Sequence, residues 1–137
     1  MTSVEVITFP SAETACVAYL TAELAARGET AVVSTKVPNP RPPRLVRVRR
    51  LGGVRVDVIT DVPMVAFDCW APNEVAAEAL AELTRALISA IPDRSIPGGV
   101  VCCDVEEGGG PVNQPDPDTN YPRYTFFVMM RVRGFAL

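Results

Sequence analysis

Residues 44–71 read RLVRVRRLGGVRVDVITDVPMVAFDCWA, and their alternation decides the fold class. In an extended chain successive side chains point to opposite faces, so Leu45, Arg47, Arg49 and Leu51 share one face and Val46 and Val48 the other. Gly52-Gly53 is expected to end that strand. VRVDVIT leads on to a second strand, MVAFDCWA at 64–71. There Val65, Phe67 and Cys69 face one way, and Met64, Ala66, Asp68 and Trp70 the other. No crossover helix fits between the two, so the sheet is antiparallel or mixed.

On the N-terminal side, SAETACVAYLTAELAAR at 11–27 reads as an amphipathic helix. Ser11 is its N-cap, Cys16, Val17, Leu20 and Leu24 form its apolar stripe, and Gly28 follows its last turn. AVVST at 31–35 suits a short strand. KVPNPRPPR then blocks any helix, because proline fixes its own φ and pushes the preceding residue towards extended geometry.

On the C-terminal side, Asn73 caps a helix running to Ile91. Its seam is Ala76, Leu80, Leu83, Leu87 and Ala90, opposite Glu74, Glu78, Glu82, Arg85 and Ser89. After a turn at 92–99, GVVCCDVEE makes a strand, 108–122 a stiff loop with four prolines, and RYTFFVMMRVRG the last strand. Tyr124, Phe126, Val128, Met130 and Val132 line one face of that strand, and Arg123, Thr125, Phe127, Met129, Arg131 and Arg133 the other. The expected fold is α+β, a mixed, mainly antiparallel sheet with two amphipathic helices packed on one face, in one domain over 1–137.

The chain has 137 residues, 48% of them hydrophobic, with a net charge of −3, which argues for a folded globule and against a nucleic-acid binder. The N-terminus has no signal-peptide pattern and no segment suits a membrane span, so a soluble, intracellular protein is expected. There is no histidine, which excludes Ser-His-Asp and Cys-His arrangements. The four cysteines, Cys16, Cys69, Cys102 and Cys103, show no C-x-x-C spacing and read as reduced, partly buried thiols. Gly108–Gly110 precede Pro111 and Val112, so a phosphate loop fails on context. Asp116, Asp118 and Asn120 begin like a calcium loop. Tyr121 stands where its glycine belongs and Phe127 where its glutamate belongs, so a turn bonded to its own backbone is expected. No catalytic residue, metal or cofactor is expected.

Charge is segregated. Residues 36–56 carry seven bases (Lys36, Arg41, Arg44, Arg47, Arg49, Arg50, Arg55) and no acid, and residues 104–120 carry five acids (Asp104, Glu106, Glu107, Asp116, Asp118) and no base. The two are separate solvated surfaces, or they neutralise each other within one subunit, or the basic stretch meets a polyanion or the acidic loop of another copy. On the last strand Phe127 and Met129 stand between arginines, a composition that interfaces favour. The expected contact surface is Arg44, Arg47, Arg49, Arg50, Glu106, Glu107, Asp116, Asp118, Arg123, Phe127 and Arg131.

Several segments together, TKVPNPRPPRLVRVRRLGG, FDCWAP ahead of an Ala/Leu/Glu-rich helix, and GGPVNQPDPDTNYPRYTF before a final strand, resemble tail terminator proteins of long-tailed bacteriophages over residues 14–133. The resemblance implies a non-enzymatic protein that forms a ring, typically a hexamer, on the last ring of the tail tube. Such a ring stops tube growth and presents the surface that docks on the head. The implied partners are further copies of the chain, the tail tube protein and the head–tail connector proteins, with DNA passing through the ring unread. The implied places are the host cytoplasm during assembly and the head-proximal end of the virion tail. A head–tail connector or completion protein is the alternative. A small-molecule or enzyme domain would need a concave pocket with convergent polar groups.

Overall fold

The computed structural model describes residues 5–93 and 96–137, built on a five-stranded sheet in the order β2-β3-β4-β6-β5. The opening stretch forms its spine, β3 (Leu45–Asp57) and β4 (Thr60–Trp70), antiparallel with Leu45 opposite Trp70 and Val48 opposite Phe67. β2 (Val32–Ser34) pairs parallel with β3, while β6 (Arg123–Arg133) pairs antiparallel with both β4 and β5 (Cys102–Asn113). This is the mixed, mainly antiparallel sheet expected. A separate two-stranded ribbon joins β1 (Ile7–Thr8) to β7 (Phe135–Ala136).

Two helices, α1 (Ala12–Ala26) and α2 (Glu74–Ser89), share one buried core with the valine-rich face of the sheet. Phe67 and Phe126 stack at 4.9 Å between ring centroids, flanked by Val46, Val48, Val65 and Val128. The helices contribute Cys16, Leu20, Leu24, Leu80 and Ile88. Tyr19 ties them together by donating to the Leu87 carbonyl oxygen at 2.6 Å. Both N-caps are as expected: Ser11 Oγ accepts from the Thr14 amide at 3.1 Å, and Asn73 Oδ1 from the Ala76 amide at 2.8 Å.

Three expectations need correction. First, Gly52-Gly53 do not end β3. They form a bulge at φ +87° and +101°, after which the strand resumes from Gly53, opposite Pro63, to Asp57. Second, Gly108–Gly110 belong to β5, which continues to Asn113, so the loop shrinks to 114–122. The reason is Phe127, whose ring lies across these glycines: a Cβ on Gly108 would fall 2.1 Å from it and one on Gly109 2.9 Å. Third, the buried stripe of α2 is turned towards Ala77, Ala81, Thr84 and Ile88. Leu80 and Leu87 remain within it, while Ala76, Leu83 and Ala90 are only half-buried. Small residues let this helix approach the sheet, and Thr84 is tolerated there because its hydroxyl donates to the Leu80 carbonyl at 2.8 Å. The expected turn at 92–99 includes residues 94 and 95, which lie outside the described residues.

All four cysteines are free thiols. Cys16, Cys69 and Cys102 are buried, and Cys103, at an irregularity of β5 between Cys102 and Asp104, is exposed. Burial pushes the Cys16 thiol up to about 12 and the Cys102 thiol up to about 11, and it raises Cys69 as well. Since the thiolate is the reactive form, a disulfide-exchange reagent should label Cys103 alone in the native chain. All four should react after denaturation. Two or more fast thiols in the native protein would contradict this burial.

Candidate interaction surfaces

The sheet face away from the helices carries Arg47, Arg49, Arg123 and Arg131, and a fully buried carboxylate organises the first two. Asp68 on β4 sits opposite Arg47 on one side and Thr125 on the other. It accepts from Arg47 at 2.9 Å, from Arg49 Nε at 2.8 Å and from the Thr125 hydroxyl at 2.8 Å. Burial by itself would raise its pKa. The hydrogen bonds from Arg49 and Thr125 and the charges of Arg47 and Arg49 outweigh burial and hold it below the ordinary carboxylate value.

Trp70, two residues along on the same face, is also buried. The guanidinium of Arg47 lies 5.3 Å from its ring centroid and that of Arg123 5.5 Å. Its indole N–H donates to Asp116 Oδ2 at 3.1 Å. The other oxygen of Asp116 accepts from the Asp118 amide at 2.9 Å, making the self-bonded turn expected for this loop. Burial again acts to raise the Asp116 pKa, and the Asp118 amide, the Trp70 indole, the Thr119 amide and the charge of Arg123 bring it below the usual range. Arg41 reaches Asp116 at 3.6 Å and lies 4.1 Å from the Tyr121 ring centroid, while the Tyr121 hydroxyl donates to the Pro43 carbonyl at 3.2 Å. The proline-rich segment 36–44 and the acidic loop are thus fastened together over Trp70 within one chain.

The remaining expected residues divide between paired and bare. Arg44 binds Glu29 at 2.6 Å, Arg50 binds Asp61 at 2.9 Å, and Glu107 accepts from Arg85 Nη2 at 2.8 Å. Arg85 also binds Glu82 at 3.0 Å, so it bridges α2 and β5. Its hydrogen bonds draw the Glu107 pKa down. Arg123 donates to the Gln114 carbonyl at 2.8 Å, and Phe127 is half-buried against the glycines of β5. Glu106, Asp118 and Arg131 are exposed, with Glu106 opposite Met129 and Arg131 opposite Asp104. The structure therefore brings Arg47, Arg49, Asp116 and Arg123 together around Asp68 and Trp70, and leaves Glu106 and Arg131 on the β5 side.

Exposed apolar side chains gather elsewhere. Past Arg50 the β3–β4 hairpin carries Leu51, Val54, Val56, Val58 and Ile59, all exposed, with Val54 at 68% and Val58 at 66%. We call residues 51–59 the arm. Beside it the β1–β7 ribbon adds Val6, Phe135 and Leu137, joined by the Gly134 amide donating to the Ile59 carbonyl at 2.8 Å. Sequence reading missed this surface because Val54, Val56 and Val58 look like core positions of a strand. A groove beside the start of α1 is lined by Pro10, Thr14, Ala18, Pro97 and Val100, none of them ionisable. Among the described residues no helix is long and apolar enough to cross a membrane. No protein-family model and no curated protein matches the chain.

Proposed function

We propose that this chain is a structural assembly protein of the tail-terminator kind. Copies of it form a ring, a hexamer in the reading that the segment resemblance implies. The ring caps the tail tube of a long-tailed phage, ends its growth and offers a surface to the head–tail connector, without catalysis. The observation that carries this reading is the arm, with five large apolar side chains in water at one end of the sheet. Contiguous apolar surface of this kind marks contact sites.

The test is tube length. Adding the purified chain to polymerising tail tube protein should yield shorter tubes, each bearing an extra density at one tip by electron microscopy. Tubes that lengthen as fast with the chain as without it, and carry nothing at their tips, would overturn the reading.

A further inference from the structure

The two lateral borders of the sheet differ in chemistry, and each has what the other lacks. One border is the free edge of β3. β2 pairs only with Leu45–Arg47, and among the described residues no strand pairs with the outer edge of the arm beyond. Of the four arginines of β3, Arg47, Arg49 and Arg50 are bound to Asp68 and Asp61, and the arm itself carries Arg55 and Asp57. Arg55, at the middle of the arm, is exposed and has no carboxylate partner among the described residues; its guanidinium lies 5.0 Å from the Phe9 ring centroid. Arg55 lies opposite Asp61, and Val54 opposite Val62, so Arg55 and Val54 project from opposite faces. A partner meeting the border would touch both the cation and the valines.

The other border is made by β5 with α2 packed beside it. Together they carry six carboxylates, Glu74, Glu78, Glu82, Asp104, Glu106 and Glu107, and one base, Arg85, already bound to Glu82 and Glu107. Apolar contact area is present there too. Val75 on α2 is 81% exposed beside Ala79, Glu78 and Glu82 in a shallow depression, and Val112 on β5 is 58% exposed.

We infer that the arm of one copy docks on the α2–β5 border of the next, with Arg55 facing the carboxylates and the arm's valines covering Val75 and its neighbours. The partner is a second copy of this chain because the complementary surface is on the chain itself. The two surfaces occupy opposite borders, so the contact is head-to-tail and repeats from copy to copy, as a ring requires. Complementary charge sets the direction of docking and apolar burial supplies most of the affinity. The inference gives the contact of the ring proposed above and rests on that reading only for closure.

Charge reversal tests it in the full chain. Arg55→Glu makes the arm acidic, and Glu78→Lys with Glu106→Lys sets two cations among the carboxylates of the far border and removes most of its negative charge. All three residues are exposed, and a lysine at 78 lies one helical turn from both Glu74 and Glu82, which favours the helix. Unchanged melting temperatures would show that folding is intact. By sedimentation, wild type should associate as its concentration rises, and each reversed chain alone should associate about tenfold or more weakly. An equimolar mixture of the two should recover association as an alternating assembly, because the new carboxylate of one chain then meets the new lysines of the other. Wild type that stays monomeric up to its solubility limit would overturn the contact. So would an assembly indifferent to both reversals, or a mixture that fails to recover. Tube capping is read separately by tube length, so a wrong contact and a wrong function give different results.

Discussion

Asp68→Ala is expected to destabilise the chain by about 3 kcal/mol, measured by urea unfolding at neutral pH. Removing one partner of a buried ion pair costs about 3–5 kcal/mol because the remaining charge stays without its counter-charge. Here the side chains of Arg47 and Arg49 are 25% and 40% exposed and can turn towards water, which favours the lower end. For a domain of this size that loss corresponds to a fall in melting temperature of about 10 °C. Asp68 also gives the effect a pH signature. Its pKa is lowered in the folded state, so its contribution is complete above the unfolded value of about 3.9 and is lost as pH falls through the lower folded value. Wild type should therefore lose stability steeply below about pH 4, and Asp68→Ala should lose less over the same interval. A variant as stable as wild type at neutral pH, or with an equally steep acid limb, would refute this role for Asp68.

Gly53→Ala should be of similar size, about 3 kcal/mol, for a steric reason. The residue sits at φ +101°, and a Cβ there would fall 2.1 Å from the Val62 carbonyl oxygen and 2.9 Å from the Met64 nitrogen, both backbone atoms of β4. Positive-φ strain costs about 1–2 kcal/mol, and forcing two strands apart adds about 1–3 kcal/mol. Gly52→Ala is the matched control. It shares the positive φ at +87° but meets nothing within 4 Å, so it should cost only the strain, about 1 kcal/mol. Equal losses in the two variants would mean that the clash with β4 is not what requires glycine at position 53.

The elements were legible where the signal is local. Ser11 and Asn73 cap their helices, and the alternation from Tyr124 to Val132 identified the core face of β6. The glycine runs were misread because a positive φ, as at Gly52 and Gly53, serves a turn and a bulge equally well, and because glycines such as Gly108–Gly110, at ordinary φ, can instead be making room for a ring. What separates the two is the strand opposite, Val62 for Gly53 and Phe127 for Gly108, and no local window contains it. Pairing within the chain was not legible from the charge map for a related reason. Counting by segment set the bases of 36–56 against the acids of 104–120, yet Arg44, Arg47, Arg49 and Arg50 bind Glu29, Asp68 and Asp61, all outside the acidic segment. The two segments share one ion pair among the described residues, Arg41 with Asp116. Register decides such pairings, and the bulges that set it become visible only in three dimensions. Asp68 could have been suspected as the one carboxylate within an otherwise apolar stretch, Met64–Trp70, but its partners are 19 to 57 residues away in the chain.

The chain has one tryptophan, and it lies where segment 36–44, the loop 114–122 and the arginine-bearing face meet. Its intrinsic fluorescence is therefore a site-specific optical signal that needs no added dye. With the indole shielded and bonded to Asp116, emission should lie to the blue of free tryptophan and resist quenching by iodide. If that loop swings away while the core stays folded, the spectrum will move and helical circular dichroism will not, so local opening can be timed apart from global unfolding.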